Sequence, residues 1–407
     1  MNKCRSCGCT TLYMFLDLGH MPPSNSFLKP EQLDLPEVSY PLKVYFCPHC
    51  TLVQIDEIVP AEEIFAGSYP YFSSDSPSNI SHAREFVDSV FIHGLPTNGK
   101  VLEVGSNDGY MLKIFADRGC NVTGVDPAIG PADMAIRNGL HTITDFFTES
   151  LAEQLVAMEG EKDLVCGINV FAHQPDLNDF VAGMKKMIKW GGMIAMEFPH
   201  LLRLMEGCQF DTIYHEHYNY FSVMALSRLF ARHGLEIFDI EETPVHGGSI
   251  RVYAQNSGRV THAISSSVAH ILRREEEMLL GTPSTYFYFS RRVRKIASDL
   301  LEFVLGGPYD QRVFAYGAAA KGNTLLNYCG IKSNFVQYVV DRSPHKQGLF
   351  LPGSHIEVVG EETLRNYQPD YVLITAWNLA DEIMEQLKYI KMWGGRFVIP
   401  IPELKVI

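Results

Sequence analysis

Four cysteines near the N-terminus constrain the fold of this 407-residue chain more than any other feature. They form two Cys-x-x-Cys pairs, Cys4 with Cys7 and Cys47 with Cys50. Each pair can close a tight turn that presents two thiolates, and two such turns supply the ligands of one tetrahedral Zn²⁺. Unligated cysteines or two disulfides are the alternatives. Because four protein thiolates leave no open coordination position, the pattern predicts a structural zinc module, with any chemistry further along the chain.

The composition predicts an ordinary globular protein that is large enough for two or three domains, with 46% hydrophobic residues. Its formal net charge of −13 argues against a nucleic-acid partner, which would require a basic surface. No apolar stretch reaches transmembrane length, and the first residues lead into no signal-peptide core. The remaining cysteines are scattered, as expected of reduced thiols. We therefore expect a cytoplasmic monomer with no membrane partner.

Strand-like and helix-like segments alternate after the cysteine module, which predicts parallel sheets with helices on both faces. The predicted strands are residues 100–104, 122–125, 164–167, 193–196, 312–316, 336–340, 371–375 and 396–399. The expected fold class is α/β, with two Rossmann-like domains and a small N-terminal zinc-binding module. The expected boundaries are 1–66 for the zinc module, 67–245 for the first α/β domain and 246–407 for the second.

The first strand runs into a glycine turn with the sequence EVGSNDG at residues 103–109. This turn is not the dinucleotide GxGxxG; it resembles the first motif of S-adenosylmethionine (SAM) methyltransferases. There the acidic side chain, here Glu103, meets the methionine amine, while the bare backbone of Gly105 admits the ligand. About twenty residues on, the next strand ends at Asp126, placed to accept the ribose hydroxyls. A dehydrogenase or a degenerate Rossmann fold is the alternative. The predicted cofactor residues are Glu103, Gly105, Asn107, Asp108, Gly109, Asp126, Pro127, Asp145, Phe146 and Asn169.

Residues 214–222, YHEHYNYFS, bring two histidines, one carboxylate and three tyrosines into nine positions. Such a segment suits proton transfer, with a histidine as the base and tyrosine hydroxyls as donors to a developing oxyanion. A structural or metal-binding role is the alternative, although His215 and His217 would share a face only on a strand. His173 follows the predicted strand at 164–167, at the edge where such sheets bind ligands; a lone histidine there is more often a satisfied core residue.

Taken together, the motifs resemble the sugar C-methyltransferases that act at C3 of nucleotide-linked 4-keto-6-deoxyhexoses. The similarity spans nearly the full length. It is carried by the two cysteine pairs, YPYFSS at 69–74, the glycine turn, YHEHY at 214–218, HGGSIRVY at 246–253 and YGAAAKGN at 316–323. The resemblance implies that His217 is the base and that Tyr214, Glu216 and His173 line the sugar pocket. It also implies that Tyr71 and Ser74 close over the ligands.

The implied reaction suits these residues. A ketone at C4 acidifies the C3 proton, and His217 removes it. Tyrosine hydroxyls or backbone donors stabilise the enolate, and the carbanion attacks the methyl group of SAM. The substrate would be a dTDP- or GDP-linked 4-keto-6-deoxysugar, and no metal is needed in the chemistry. An O- or N-methyltransferase on another small molecule is one alternative, and a zinc-ribbon interaction protein without activity is another.

The loop GAAAKGN at residues 317–323 lies between a predicted strand and a predicted helix. Helix N-terminal amides, small side chains and one lysine suit the diphosphate of a sugar nucleotide. A structural remnant of a Rossmann fold is the alternative. We expect the sugar between the two α/β domains. The predicted substrate contacts, besides Tyr71 and Ser74, are Ser249, Arg251, Lys321, Asn323, Asp341 and Arg342.

Overall fold

The computed structural model describes residues 3–56, 59–65, 72–258, 261–308 and 310–407. The strands are β1 (Tyr13–Met21), β2 (Tyr40–Phe46), β3 (Val53–Ile55), β4 (Lys100–Val104), β5 (Asn121–Val125), β6 (Thr142–Ile143), β7 (Lys162–Ile168), β8 (Ile188–Pro199), β9 (Asn219–Tyr220), β10 (Leu235–Thr243), β11 (Ser249–Asn256), β12 (Val313–Tyr316), β13 (Tyr338–Val340), β14 (Glu357–Val359), β15 (Tyr371–Ile374), β16 (Arg396–Ile399) and β17 (Lys405–Val406).

The α-helices are α1 (Ala61–Phe65), α2 (Pro77–Ile92), α3 (Tyr110–Asp117), α4 (Ile129–Arg137), α5 (Glu149–Glu159), α6 (Leu177–Met187), α7 (Leu201–Glu206), α8 (Val223–Arg232), α9 (Ser266–Glu277), α10 (Pro283–Gly306), α11 (Ala320–Tyr328), α12 (Glu362–Tyr367) and α13 (Ala380–Gln386). Among the described residues, no helix has the length and apolar character that a membrane crossing requires.

The chain divides into two compact units, each assembled from three separate segments. Unit 1 consists of residues 1–12, 47–201 and 218–281, and unit 2 consists of residues 13–46, 202–217 and 282–407. Both cysteine pairs belong to unit 1, whereas the chain between them belongs to unit 2. The predicted boundaries at residues 66 and 245 stay predictions.

Unit 1 is built on a seven-stranded sheet in the order β10-β11-β8-β7-β4-β5-β6. The five neighbouring strands β8, β7, β4, β5 and β6 are parallel, and β11 and β10 add antiparallel strands beside β8. Alternate residues of β4 enter two different cores, with Val101 in one and Leu102 and Val104 in the other. Burial on both faces is typical of a strand in a parallel sheet that helices cover on both sides. The glycine turn follows β4 at the edge where parallel sheets bind ligands.

Unit 2 has its own six-stranded sheet in the order β14-β13-β12-β15-β16-β17, parallel except for β17. The antiparallel hairpin β1–β2 belongs to the same unit and packs on α10. The ring of Tyr286 on α10 lies 4.9 Å from that of Phe15 and 4.5 Å from that of Phe46. The predicted α/β fold, with two Rossmann-like sheets and a cysteine-rich N-terminus, is confirmed.

Candidate active site and zinc module

The four N-terminal cysteines come together in unit 1. Their sulfur atoms all lie within 4.8 Å of one another, with Cys4 Sγ 3.4 Å from Cys50 Sγ and Cys7 Sγ 3.6 Å from Cys47 Sγ. Four sulfurs around Zn²⁺ at about 2.3 Å would lie roughly 3.8 Å apart, so the cluster fits a tetrahedral zinc ion. All four are thiols in the structure, so the disulfide alternative finds no support.

The two cysteine turns share one backbone geometry. In the first, the amide of Gly8 donates to the carbonyl of Cys4 at 2.9 Å; in the second, the amide of Thr51 donates to that of Cys47 at 2.8 Å. Gly8 and Thr51 both have positive φ, 74° and 64°. Thr51 adopts this unfavourable conformation with its hydroxyl donating to the Cys50 carbonyl at 2.6 Å. The repeated turn brings both thiols of each pair to the same side.

The glycine turn of unit 1 lines a cavity at the carboxyl ends of β4, β5 and β7. Gly105 has φ 69°, and a Cβ there would lie 2.9 Å from Val170 Cγ2, so only glycine fits without displacement. Seven of the predicted residues line this cavity: Gly105, Asn107, Asp126, Pro127, Phe146, Asn169 and His173. The structure adds Ser73, Tyr110, Ala128, Phe147, Gln174 and Pro175, among others.

Asp126 holds the turn together at the end of β5. Its two carboxylate oxygens accept hydrogen bonds from the backbone amides of Asn107 and Ala128, both at 2.8 Å. Burial raises the pKa of Asp126, and these two hydrogen bonds oppose the rise. Asn107 lies in the left-handed region with φ 49°, and its Oδ1 accepts from the amide of Ser73 at 2.8 Å. The loop and the carboxylate therefore form one rigid corner.

Asn169 and His173 line the cavity from the segment after β7. Asn169 has φ 57°; its amide donates to the carbonyl of Glu197, and its Nδ2 contacts His246 Nε2 at 3.0 Å. Its buried Oδ1 has no hydrogen-bond partner among the described residues. A buried acceptor without a partner is costly, so this oxygen suits a donor from a ligand.

Other predicted cofactor residues lie elsewhere. Glu103 is 1% exposed and does not line the cavity; burial raises its pKa well above its usual range, and Asp126 and Asp108 add to the rise. Its expected contact with an amine therefore finds no support in the structure. Asp108, Gly109 and Asp145 also stay outside the lining. Asp108 instead accepts from the amide of Ser74 at 3.1 Å. In the sequence, the motif YPYFSS at 69–74 is the signal that could have identified Ser73 as a lining residue.

The predicted catalytic segment belongs to unit 2 as far as His217. His217 Nδ1 lies 2.9 Å from the carbonyl oxygen of Thr212, and His217 Nε2 lies 2.9 Å from the hydroxyl of Tyr214. A carbonyl oxygen only accepts, so Nδ1 carries the proton and Nε2 presents its lone pair. The Tyr214 hydroxyl then donates to that lone pair.

Two neighbours in the same segment are buried. Glu216 is 4% exposed, and its Oε1 accepts from Asn25 Nδ2 at 2.7 Å. Burial raises the pKa of Glu216 to about 7, and the bond from Asn25 opposes the rise. His215 is 2% exposed, with its ring 6.0 Å from that of Tyr40, and burial lowers its pKa. Among the described groups of cysteine, histidine and acidic residues, only the four cysteines form a metal-type cluster, so the metal alternative for this segment finds no support.

The glycine turn of unit 2 repeats the corner of unit 1. Gly317 has φ 102°, and its amide donates to the carbonyl of Val340 at 2.8 Å. Asp341 accepts from the amides of Ala318 at 2.7 Å and Ser343 at 2.8 Å. Asp126 accepts the same pair of bonds, one from an amide of its glycine turn and one from the amide two residues after the aspartate. Both corners therefore hold a carboxylate at the end of a parallel strand, beside a glycine turn.

Several predicted substrate contacts are occupied within their own unit. Arg251 lies on β11, 3% exposed, and its guanidinium donates to Glu197 and Glu241, each at 2.8 Å at closest. Ser249, 2% exposed, donates to the Val245 carbonyl at 3.2 Å. Asn323 is 1% exposed, and its Nδ2 donates to the Ser24 carbonyl. The predicted contacts of these three residues with substrate find no support. The prediction for Tyr71 lies outside the described residues.

Three family profiles match the chain. They are described as "Putative zinc binding domain" over residues 4–65, "Methyltransferase domain" over 80–240 and "C-methyltransferase C-terminal domain" over 244–402. The C-methyltransferase NovU of Streptomyces niveus is 36% identical over 409 aligned positions, covering 100% of this chain and 97% of NovU. The chain belongs to the C-methyltransferase family.

More distant similarities are confined to part of this C-methyltransferase. The ubiquinone biosynthesis O-methyltransferase of Pseudomonas aeruginosa is 30% identical over 97 residues, 23% of this chain and 42% of that enzyme. The structure of magnesium protoporphyrin IX methyltransferase from Synechocystis with bound SAM covers 44% of this chain and 82% of that one, with 15% identity and a TM-score of 0.34.

These findings confirm two predictions from the sequence. The C-methyltransferase is a SAM-dependent methyltransferase, with a methyltransferase domain that contains the cavity after β4. Its N-terminus is a zinc-binding module with four thiols in one cluster. The identity of the substrate and the roles of individual residues are matters of proposal.

Proposed function

We propose that this C-methyltransferase methylates C3 of a nucleotide-linked 4-keto-6-deoxyhexose, with His217 as the base. The observation that carries the proposal is the geometry of His217. Its Nδ1 faces the Thr212 carbonyl and its Nε2 faces the Tyr214 hydroxyl, each at 2.9 Å. A carbon acid next to a ketone needs a base near neutrality, and a neutral imidazole with one fixed tautomer suits that task.

Tyr214 has a second part in the proposal. Its hydroxyl occupies the lone-pair direction of Nε2, where the C3 proton must arrive. This hydroxyl has to turn away from Nε2 before the C3 proton can reach that atom, and it can then donate to the oxygen that gains negative charge in the enolate. Histidine and tyrosine therefore act as a pair: one removes the proton, and the other stabilises the charge that remains.

SAM supplies an electrophilic methyl group, so the protein has only to bind and orient the cofactor. We propose that Asp126 accepts the ribose hydroxyls, as the sequence predicts. The unpartnered Oδ1 of Asn169 suits the cationic amine of the methionine moiety, because it is a buried acceptor on the cavity wall. This assignment gives to Asn169 the contact that the sequence predicted for Glu103.

For the sugar nucleotide, we propose that the Gly317–Asp341 corner of unit 2 receives the nucleoside. Two backbone hydrogen bonds fix the Asp341 carboxylate in the manner of Asp126. Each carboxylate oxygen can accept more than one hydrogen bond, so Asp341 keeps acceptor capacity for a ribose or deoxyribose hydroxyl. Arg342, the next residue, stays a predicted contact.

Deuterium exchange tests the proposal, because proton removal precedes methyl transfer. The purified enzyme is incubated in D₂O with dTDP- and GDP-linked 4-keto-6-deoxysugars and a SAM analogue that lacks the transferable methyl group. The wild-type enzyme should introduce deuterium at C3 of one of them, and with SAM it should add one methyl group to that carbon. His217→Asn should bind both ligands and lose about 10²-fold or more in exchange and turnover. His345→Asn, at an exposed histidine of the same unit, is the matched control.

Two results would contradict the proposal. If His217→Asn exchanges C3 as fast as the wild type, another group is the base. If SAM methylates an oxygen or nitrogen atom of the acceptor, or no 4-keto sugar is methylated, the substrate class is wrong.

A further inference from the structure

The loop GAAAKGN of unit 2 places two polar side chains, Lys321 and Asn323, at the start of α11. We infer that both are positioning residues that hold the segment 211–217, and with it His217, rather than ligands of a diphosphate. The inference rests on the proposed function for the role of His217. The contacts that carry it all lie within unit 2.

Lys321 reaches the beginning of the segment through one aromatic ring. Its ammonium donates to Asn378 Oδ1 and lies 4.5 Å from the centroid of the Trp377 ring. The indole N–H of Trp377 donates to Asp211 Oδ2 at 2.7 Å. Asp211 is followed by Thr212, whose carbonyl accepts the Nδ1 proton of His217. A chain of short contacts therefore runs from the lysine to the group that fixes the tautomer of the base.

Opposite charges at the two ends of this chain stabilise each other. Asp211 is fully buried, and its second oxygen, Oδ1, has no hydrogen-bond partner among the described residues. Burial raises the pKa of Asp211 to about 6, while the positive charge of Lys321 opposes the rise. Burial lowers the pKa of Lys321, and Asp211 opposes that change. Without the lysine, a buried carboxylate would remain with less compensation, and the turn that carries it would be free to move.

Asn323 reaches the other end of the segment. Its Nδ2 donates to the Ser24 carbonyl at 2.9 Å, and the next residue, Asn25, donates from its Nδ2 to Glu216 at 2.7 Å. A contact of 3.3 Å between the hydroxyls of Ser24 and Thr324 adds a second link to α11. Residues Ser24, Thr324 and Asn323 are all at most 2% exposed. One helix therefore supports the segment near both of its ends, at Asp211 and at Glu216, the residue just before His217.

The same geometry explains why a phosphate role for the lysine is disfavoured. A lysine that grips a diphosphate directs its donors toward the ligand. The ammonium of Lys321 instead lies over an indole face and donates to an amide oxygen within the protein. A cation over a tryptophan ring is stabilised where it is, particularly when it is partly desolvated.

Five variants test the inference: Lys321→Met, Asp211→Asn, Lys321→Met with Asp211→Asn, Trp377→Phe, and Lys332→Met as the control at an exposed lysine. Lys321→Met should slow C3 exchange and kcat about tenfold or more, since small displacements of a base cost up to about 10²-fold. The affinity for dTDP or GDP, measured by calorimetry, should be unchanged. Adding Asp211→Asn should restore part of the exchange rate, because it removes the uncompensated carboxylate.

Trp377→Phe covers the case in which Lys321→Met does not fold. It keeps an aromatic ring under the ammonium and removes only the N–H donor to Asp211. It should therefore also slow C3 exchange without lowering the affinity for the nucleotide. The inference is overturned if Lys321→Met lowers the affinity for the nucleotide tenfold and leaves the rate of C3 exchange at saturating substrate unchanged. That is the pattern expected of a residue that binds phosphate. Strictly additive effects of Lys321→Met and Asp211→Asn would overturn it as well.

A readout that does not require activity separates this inference from the proposed function. In ¹⁵N-histidine NMR spectra, His217 of the wild type should show the Nδ1–H tautomer, with its signals identified by their loss in His217→Asn. Lys321→Met should mix the two tautomers, and Lys332→Met should not. If no 4-keto sugar exchanges while the tautomer responds, the proposed function has failed and the positioning role stands. An unresponsive tautomer refutes the positioning role.

Discussion

Replacing Asp126 by asparagine should weaken SAM binding while leaving the sheet intact. The carboxylate accepts two backbone hydrogen bonds, from Asn107 and Ala128, both at 2.8 Å. An asparagine keeps the shape and one carbonyl oxygen, but it turns an NH₂ group toward the second amide. The substitution therefore loses one of the two bonds and sets two donors against each other, close to the cavity that Asp126 lines.

The magnitude follows from the charge of the acceptor. A hydrogen bond to a charged group contributes about 1.5–3 kcal/mol. Each 1.4 kcal/mol corresponds to about a tenfold change in Kd, so the loss of the charge-assisted bond that we propose between the ribose hydroxyls and Asp126 should weaken SAM binding by roughly 10- to 10²-fold. The disturbed backbone bonds should also lower the stability of the glycine turn.

Calorimetric titration of SAM measures the effect, and Asp341→Asn is the matched control. Asp341 has the same two backbone bonds at the corner of unit 2, so its substitution should leave the Kd of SAM unchanged. The pH dependence offers a second check. Burial raises the pKa of Asp126, so protonation as the pH falls should weaken SAM in the wild type. Asp126→Asn, which has no carboxylate there, should lack that component of the pH dependence.

Equal SAM affinity of Asp126→Asn and the wild type would refute this reasoning. A loss of affinity in Asp341→Asn as large as that in Asp126→Asn would refute it too, since the effect would then not belong to the corner of unit 1.

Three further perturbations give separate outcomes. Cys47→Ser should release zinc and lower Tm, because the metal-binding free energy of such a module is also folding free energy; elemental analysis and thermal unfolding check this, with Cys9→Ser, outside the thiol cluster, as the control that should change neither. Burial raises the pKa of Glu216 from its ordinary 4.5 to about 7, so the wild type should lose stability as the pH rises between these values. Glu216→Gln should remove that loss, on the order of 3 kcal/mol, in urea unfolding at about pH 5 and about pH 8; parallel pH profiles would contradict it. Gly105→Ala should weaken SAM binding, because the added Cβ would lie 2.9 Å from the nearest side-chain carbon. Gly139 also has a positive φ but has open space around it, so Gly139→Ala should leave the SAM affinity unchanged.

Short-range patterns in the sequence predicted the features that depend on neighbouring residues. The spacing within each Cys-x-x-Cys pair is enough for its turn, and the structure brings the two turns together as expected. Alternating strands and helices predicted both parallel sheets, because parallel neighbours need a crossover connection, which is usually a helix. The glycine turn located the cavity, since ligands bind at the carboxyl ends of parallel strands and a glycine with positive φ leaves room there.

Partners of the buried polar residues could not be predicted in the same way. The motif containing Arg251 suggested a ligand-binding loop, yet every residue of β11 is buried, and this arginine pairs with Glu197 and Glu241. The carboxylates that neutralise Arg251 come from strands on either side of it.

Lys321 shows the same limit more clearly. A lysine after a glycine turn is chemically suited to phosphate, and the sequence around it says nothing else. Its partner Asn378 is 57 positions away, and Trp377 bonds to Asp211 across 166 positions. Residue types and spacing determine which local turns form. The residues that satisfy a buried charge depend on which distant elements pack beside it, and this is decided only when the whole unit folds.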